Sequence, residues 1–132
     1  MSDSKELSLY ERVGGEVPLR KLVDDFYDAM ADSPYAQGIR QMHPADMTPS
    51  RQKLFEFFSG WMGGPSLYIQ QYGHSRLRAR HLPFTIGVAE RDQWLFCFHV
   101  ALKKSDFSEE LQGVLWQNIC QIADHMRNQP EA

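Results

Sequence analysis

Arg76-Leu77-Arg78-Ala79-Arg80-His81-Leu82-Pro83-Phe84, with Trp94 thirteen residues after the histidine, puts one imidazole, three guanidiniums and a large aromatic ring into one short region. His81 lies four residues after Leu77, so on a helix the two share a face, and Pro83 stops the helix before another turn can cover the imidazole. The histidine is thereby presented at a helix end. An imidazole so placed can ligate haem iron axially, its second nitrogen donating to a backbone carbonyl one turn back and fixing the tautomer. Arg76 and Arg80, four apart, can pair with carboxylates such as haem propionates. Spacing alone leaves a second reading open: a surface arginine-rich helix that ends in an ordinary terminal histidine.

The regions around that stretch read as helix almost throughout. A short helix around Leu7 to Val13 ends at Gly14-Gly15, where the turn needs backbone angles that glycine adopts cheaply. From Pro18 the apolar positions Leu19, Leu22, Val23, Phe26 and Met30 recur at helical spacing until Asp32-Ser33-Pro34. Thr48-Pro49 reads as an N-cap followed by proline at the first helical position, with Leu54, Phe55, Phe58, Trp61 and Met62 as the buried stripe up to Gly63-Gly64-Pro65. Residues 66 to 73 carry no clear period and are expected to form an ordered loop, with a short strand as the alternative. A fourth segment runs from about Val88 to Lys103, with Glu90 suited to its first turn. The last starts near Ser108 and turns Leu111, Val114, Leu115, Ile119, Ile122 and Met126 inward. Four main helices predict an all-α domain, and without further information an α-bundle, since packing angles are not written in one sequence.

Composition sets compatible limits. The 132 residues make one domain, with residues 1–6 (Met1-Ser2-Asp3-Ser4-Lys5-Glu6) as a polar tail. Net charge is −3 and the pI about 5.9, with no basic block standing out, so nucleic-acid binding is disfavoured. No leader and no apolar run near a membrane span's length is visible, and the expectation is a soluble cytoplasmic protein. Cys97 and Cys120 fall in apolar helical patterns and read as reduced core cysteines, a disulfide being the less favoured alternative.

Several further motifs fall in one order along the chain: Tyr10 to Gly15, Phe26-Tyr27, Gly63-Gly64-Pro65, Gly73-His74, Arg76-Leu77-Arg78, Arg80-His81 with Pro83-Phe84, then Glu90-Arg91-Asp92 with Trp94-Leu95. In these the chain resembles the truncated haemoglobins of group II, over roughly residues 8 to 127. The resemblance implies the two-over-two truncated globin fold, in which two antiparallel helix pairs enclose one haem and a short proximal helix sits in a long loop. It implies haem b (iron protoporphyrin IX), held through His81 as the metal ligand, with Arg80, Arg76, Leu77, Leu54, Phe84 and Trp94 around the cofactor. No Cys-x-x-Cys-His is present, so attachment is noncovalent.

On the opposite side of the ring the resemblance assigns Tyr27 and Trp94 as donors to a bound ligand. Each also has a plain structural reading. Tyr27 can be an interfacial tyrosine with its hydroxyl in water, and a mid-helix tryptophan is commonly packing. His43-Pro44 matches a loop position against the haem, where histidine would add a third polar group or simply be exposed. Ser50 and Leu54, four apart, match the positions of the usual distal histidine and its apolar neighbour; a serine there departs from the myoglobin pattern but suits group II. His74, His99 and His125 read as capping or surface residues, and Met42, Met47 and Met62 as packing. The function implied is binding of O2, NO and CO. The alternative is a haem enzyme for nitric-oxide dioxygenation or peroxide reduction, which would need an external reductase because the chain has no flavin or nicotinamide domain. A third class is a haem-free helical interaction domain. The expected assembly is a monomer or weak homodimer.

Overall fold

The computed structural model describes residues 7–73 and 87–126. Helix α1 (Leu9–Val13) opens on a capping box: the Glu11 N–H donates to Ser8 Oγ at 3.1 Å, and the Ser8 N–H donates to Glu11 Oε1 at 3.0 Å. Gly14 and Gly15, at φ 103° and 87°, turn the chain into α2 (Glu16–Asp32). This helix starts two residues before Pro18. The proline lies in the first turn, where its missing N–H would have had no intrahelical partner anyway. A 3-10 turn (Pro34–Ala36) and α3 (Gln37–Arg40) follow.

Helix α4 (Thr48–Trp61) differs from the expected start in its cap. Thr48 is already helical, and its N–H donates to Asp46 Oδ1 at 3.0 Å, so the aspartate two residues upstream satisfies the terminal donor. Residues expected to form a loop instead contain α5 (Leu67–Tyr72). The buried Ser59 hydroxyl donates to the Pro65 carbonyl at 2.7 Å and fixes the turn, and Tyr68 stands edge-on to Phe57 at 6.2 Å, so tertiary packing supports a helix too short to show a period. Two long helices complete the described chain: α6 (Val88–Lys104), whose Gly87 N–H donates to Glu90 Oε1 at 2.7 Å, and α7 (Glu109–Met126), whose Leu111 N–H donates to Ser108 Oγ at 3.1 Å.

These helices lie in two antiparallel pairs. Arg20 of α2 reaches Gln52 and Phe55 of α4, whereas Arg51, nearer the start of α4, reaches Asp24 and Asp28 further along α2. Likewise Arg91 at the start of α6 bonds Asp124 near the end of α7 at 2.6 Å, and His99 meets Trp116 midway. The most extensive seam joins the pairs, between α2 and α6, where Leu19, Leu22, Val23, Phe26, Met30, Phe98 and Leu102 are buried. A simple up-down bundle would join sequence neighbours most closely; here α2 packs chiefly on a helix more than fifty residues away. Cys97 is buried and Cys120 half-buried, both as free thiols. Among the described residues no helix is long and apolar enough to cross a membrane.

Candidate functional site

Phe26 and Tyr27 turn adjacent faces of α2 to different surroundings. The Phe26 ring stacks on Phe98 at 4.1 Å and meets Trp94 at 5.6 Å and Tyr27 at 4.9 Å, both edge-on. Tyr27 is 5% exposed. The ring is thus buried rather than laid out on the surface. Burial pushes the hydroxyl's pKa well up, and the Arg51 charge pulls it partly back. Among the described residues the Tyr27 hydroxyl has no hydrogen-bond partner.

His43 approaches the same ring from the loop after α3, edge-on at 5.8 Å. Its position is built from α6: Gln93 Oε1 accepts from the Ile39 N–H at 3.0 Å, and the Ile39 carbonyl bonds His43 Nδ1 at 2.9 Å. Gly38 allows this docking, because a Cβ there would lie 2.7 Å from Gln93 Oε1. Arg40 then ties the loop by donating to the carbonyls of His43, Pro44 and Ala45. A carbonyl only accepts, so Nδ1 carries the proton, and in the neutral ring Nε2 is an acceptor rather than a donor. His43 is thus a polar neighbour of Tyr27 but no third donor while neutral.

Trp94 is half-buried against Phe98 at 4.6 Å as well as Phe26, and among the described residues its indole N–H has no acceptor. Leu54 packs on the core from α4, and Ser50, half-buried, precedes Arg51 on that helix. The structure thus brings Tyr27 and His43 into contact and links Trp94 to Tyr27 through Phe26. Arg51 is the residue missed from sequence. Its guanidinium donates to the Asp24 carbonyl and Oδ1, both at 3.2 Å, and to Asp28 Oδ1 at 2.8 Å, and its central carbon lies 5.7 Å from the Tyr27 ring centroid. Asp24 and Asp28, four apart and flanking Tyr27, are the signal that could have pointed to a cation there.

His81, Arg80, Arg76, Leu77 and Phe84, together with His74, lie outside the described residues.

A family model described as bacterial-like globin matches residues 8–128. The chain is 38% identical over 123 residues to a group 2 truncated hemoglobin of Bacillus subtilis, covering 93% of this chain and 90% of that one. Among solved structures it is similar to a cold-adapted truncated hemoglobin from the Antarctic marine bacterium Pseudoalteromonas haloplanktis, at 42% identity and TM-score 0.91, covering 94% of this chain and all of the other. A group II 2-on-2 hemoglobin from the plant pathogen Agrobacterium tumefaciens is similar at 38% identity and TM-score 0.91, over 98% of this chain and all of that one.

Proposed function

The chain belongs to the bacterial-like globin family, with the two-on-two fold of the group II truncated haemoglobins, and from that premise we propose that His81 holds haem b while Tyr27 and Trp94 retain a diatomic ligand opposite it. Family membership makes it a haem-containing, ligand-binding protein whose ligands are gases such as oxygen. The observation that carries the finer reading is Tyr27. Its ring is buried and its hydroxyl meets no acceptor among the described residues, which leaves the O–H available to a group from outside the chain. The Trp94 indole N–H, which has no acceptor among the described residues and is separated from Tyr27 by one phenylalanine, is available in the same way.

These residues fit a haem. Aromatic and aliphatic surfaces from α2, α4 and α6 suit an apolar macrocycle, and the donors are few and directed. Arg76 and Arg80 would pair the propionates, with Leu77, Phe84 and Leu54 in apolar contact. When bound, haem supplies the iron at which a diatomic gas binds. The phenol and the indole would each donate one hydrogen bond to the ligand's polar end, His43 would accept or orient, and Ser50, smaller than a histidine, would leave the entry path more open. Nitric-oxide dioxygenation or peroxide reduction would draw on the same donors and on an external reductase.

In the haem-loaded protein, Tyr27→Phe and Trp94→Phe should each accelerate oxygen release, by roughly 2- to 12-fold for a hydrogen bond worth about 0.5–1.5 kcal/mol. The double variant should fall short of additivity, since both donors serve one acceptor. His81→Gly should lose haem and regain it with added imidazole. Release at the parent rate in both distal variants would remove the polar pocket from this account, and unchanged haem spectra in His81→Gly would remove the proximal assignment.

A further inference from the structure

Tyr27 sits where α2 faces α4, and the only cation recorded over its ring among the described residues is Arg51. A long flexible side chain does not hold a fixed place by itself. Here Asp24, three residues before the tyrosine, and Asp28, the residue after it, hold it: Asp28 takes Nη2 at 2.8 Å, and Asp24 takes Nη1 with both its carbonyl and its carboxylate at 3.2 Å. The Arg51 side chain is 25% exposed, so its charge is only partly screened by solvent. Three acceptors on α2 thus hold one guanidinium from α4 beside the ring. From this geometry we infer that Arg51, clamped by Asp24 and Asp28, is a positioning residue for Tyr27, holding the phenol ring in place and strengthening its hydroxyl as a hydrogen-bond donor.

Two physical effects support the second half of that statement. A cation near a phenol stabilises negative charge on its oxygen, which makes the O–H a better donor; the same charge opposes the effect of burial on the Tyr27 hydroxyl. At 5.7 Å from the centroid it also lies within cation–π range of the ring face. The clamp explains why two carboxylates stand beside a distal residue without repelling a polarised ligand, since the guanidinium between them neutralises part of their field. The inference rests on the reading of Tyr27 as a ligand donor, yet part of its test does not.

Two measurements on the full haem-loaded chain decide it. With tyrosine labelled at the ring carbon bearing the hydroxyl, the Tyr27 resonance of the carbon monoxide form, assigned by its loss in Tyr27→Phe, should move in Arg51→Met. It should stay in Arg20→Met, which removes the neighbouring cation on the same seam, packed on Phe55 at 4.0 Å. Oxygen release should quicken about two- to fivefold in Arg51→Met, corresponding to roughly 0.4–1 kcal/mol, with Arg51→Lys between it and the parent. The same substitution made in Tyr27→Phe should change release no further. An unmoved Tyr27 resonance, or equal acceleration in both backgrounds, overturns the inference. Should Tyr27→Phe itself release oxygen at the parent rate, the donor reading of Tyr27 fails, and the resonance alone still decides whether Arg51 positions the ring.

Discussion

Helix α2 presents two seams built on opposite principles. Toward α6 it offers Phe26, stacked on Phe98 and set edge-on to Trp94, in a largely aromatic and aliphatic interior. Toward α4 it is polar: Arg51 bridges Asp24 and Asp28, and Arg20 donates to Gln52 at 2.9 Å, which donates in turn to Glu56 at 3.3 Å. The first seam draws its stability from buried area and close aromatic packing, which does not depend on salt or moderate pH. The Arg51 ion pairs of the second add little stability, because those charges are partly exposed and compete with water. What they supply is placement of polar groups. Tyr27 stands at the border, its ring against Phe26 and its flank under Arg51. On the proposed reading both are needed: one seam to keep the helices together, the other to fix donors that packing alone would leave free to rotate.

The sharpest way to break this contrast is to cut the apolar seam. Phe98 is fully buried and touches Phe26, Phe58 and Trp94, so Phe98→Ala should cost about 3–5 kcal/mol, a large share of the 5–15 kcal/mol typical of a domain. Urea unfolding would show the midpoint falling with the slope unchanged. A loss under about 1 kcal/mol would mean that the seam repacks freely and the contrast is false.

A second effect comes from the thiol one residue away. Cys97 has no exposed surface, and burial pushes its pKa from the ordinary 9.0 up to about 12. Below pH 9 the thiol is protonated whether the chain is folded or unfolded, and its contribution is complete. Between pH 9 and 12 the unfolded chain ionises while the folded one does not, so stability falls as pH rises. At roughly 1.4 kcal/mol per pH unit the loss reaches about 4 kcal/mol by the upper end of that window. Tyr27, also pushed up by burial, adds to the same alkaline loss. Cys97→Ala should therefore cost stability at pH 8 and progressively less toward pH 11. A difference between parent and variant that stays constant across that range would show that the interior is less dry than its packing indicates.

The apolar seam was legible in the sequence and most of the polar one was not. Leu19, Leu22, Val23, Phe26 and Met30 recur at helical spacing, and periodicity is a property of one helix, so they could be recognised before any fold was known. Arg51 and Asp28 are 23 residues apart on different helices, and no local pattern links them. The α5 helix was missed because six residues are less than two turns and Ile69 among them is exposed. The cap of α4 was displaced because Asp46, not Thr48, supplies the acceptor, and both residue types are ordinary caps. For the candidate site, Tyr27 and Trp94 were marked by the family motifs and His43 by a matching loop position. The tautomer of His43 was not, because it follows from the Ile39 carbonyl, which a sequence cannot place.

The smallest effect tests the polar seam by its salt response. Asp28 is 52% exposed on its side chain and Asp24 45%, so each pair with the 25% exposed Arg51 is open to solvent on its carboxylate side. Asp28→Asn keeps the shape and an acceptor oxygen while removing the charge, and should lower stability by roughly 0–1 kcal/mol at low salt. Raising the salt to about 1 M shortens the screening length to roughly 3 Å and should shrink the difference further. Phe98→Ala should keep its full cost under the same change, since no charge is involved. If Asp28→Asn instead cost several kcal/mol with no dependence on salt, the ion pair would be a buried structural element, and the division of α2 into a seam for stability and a seam for placement would not stand.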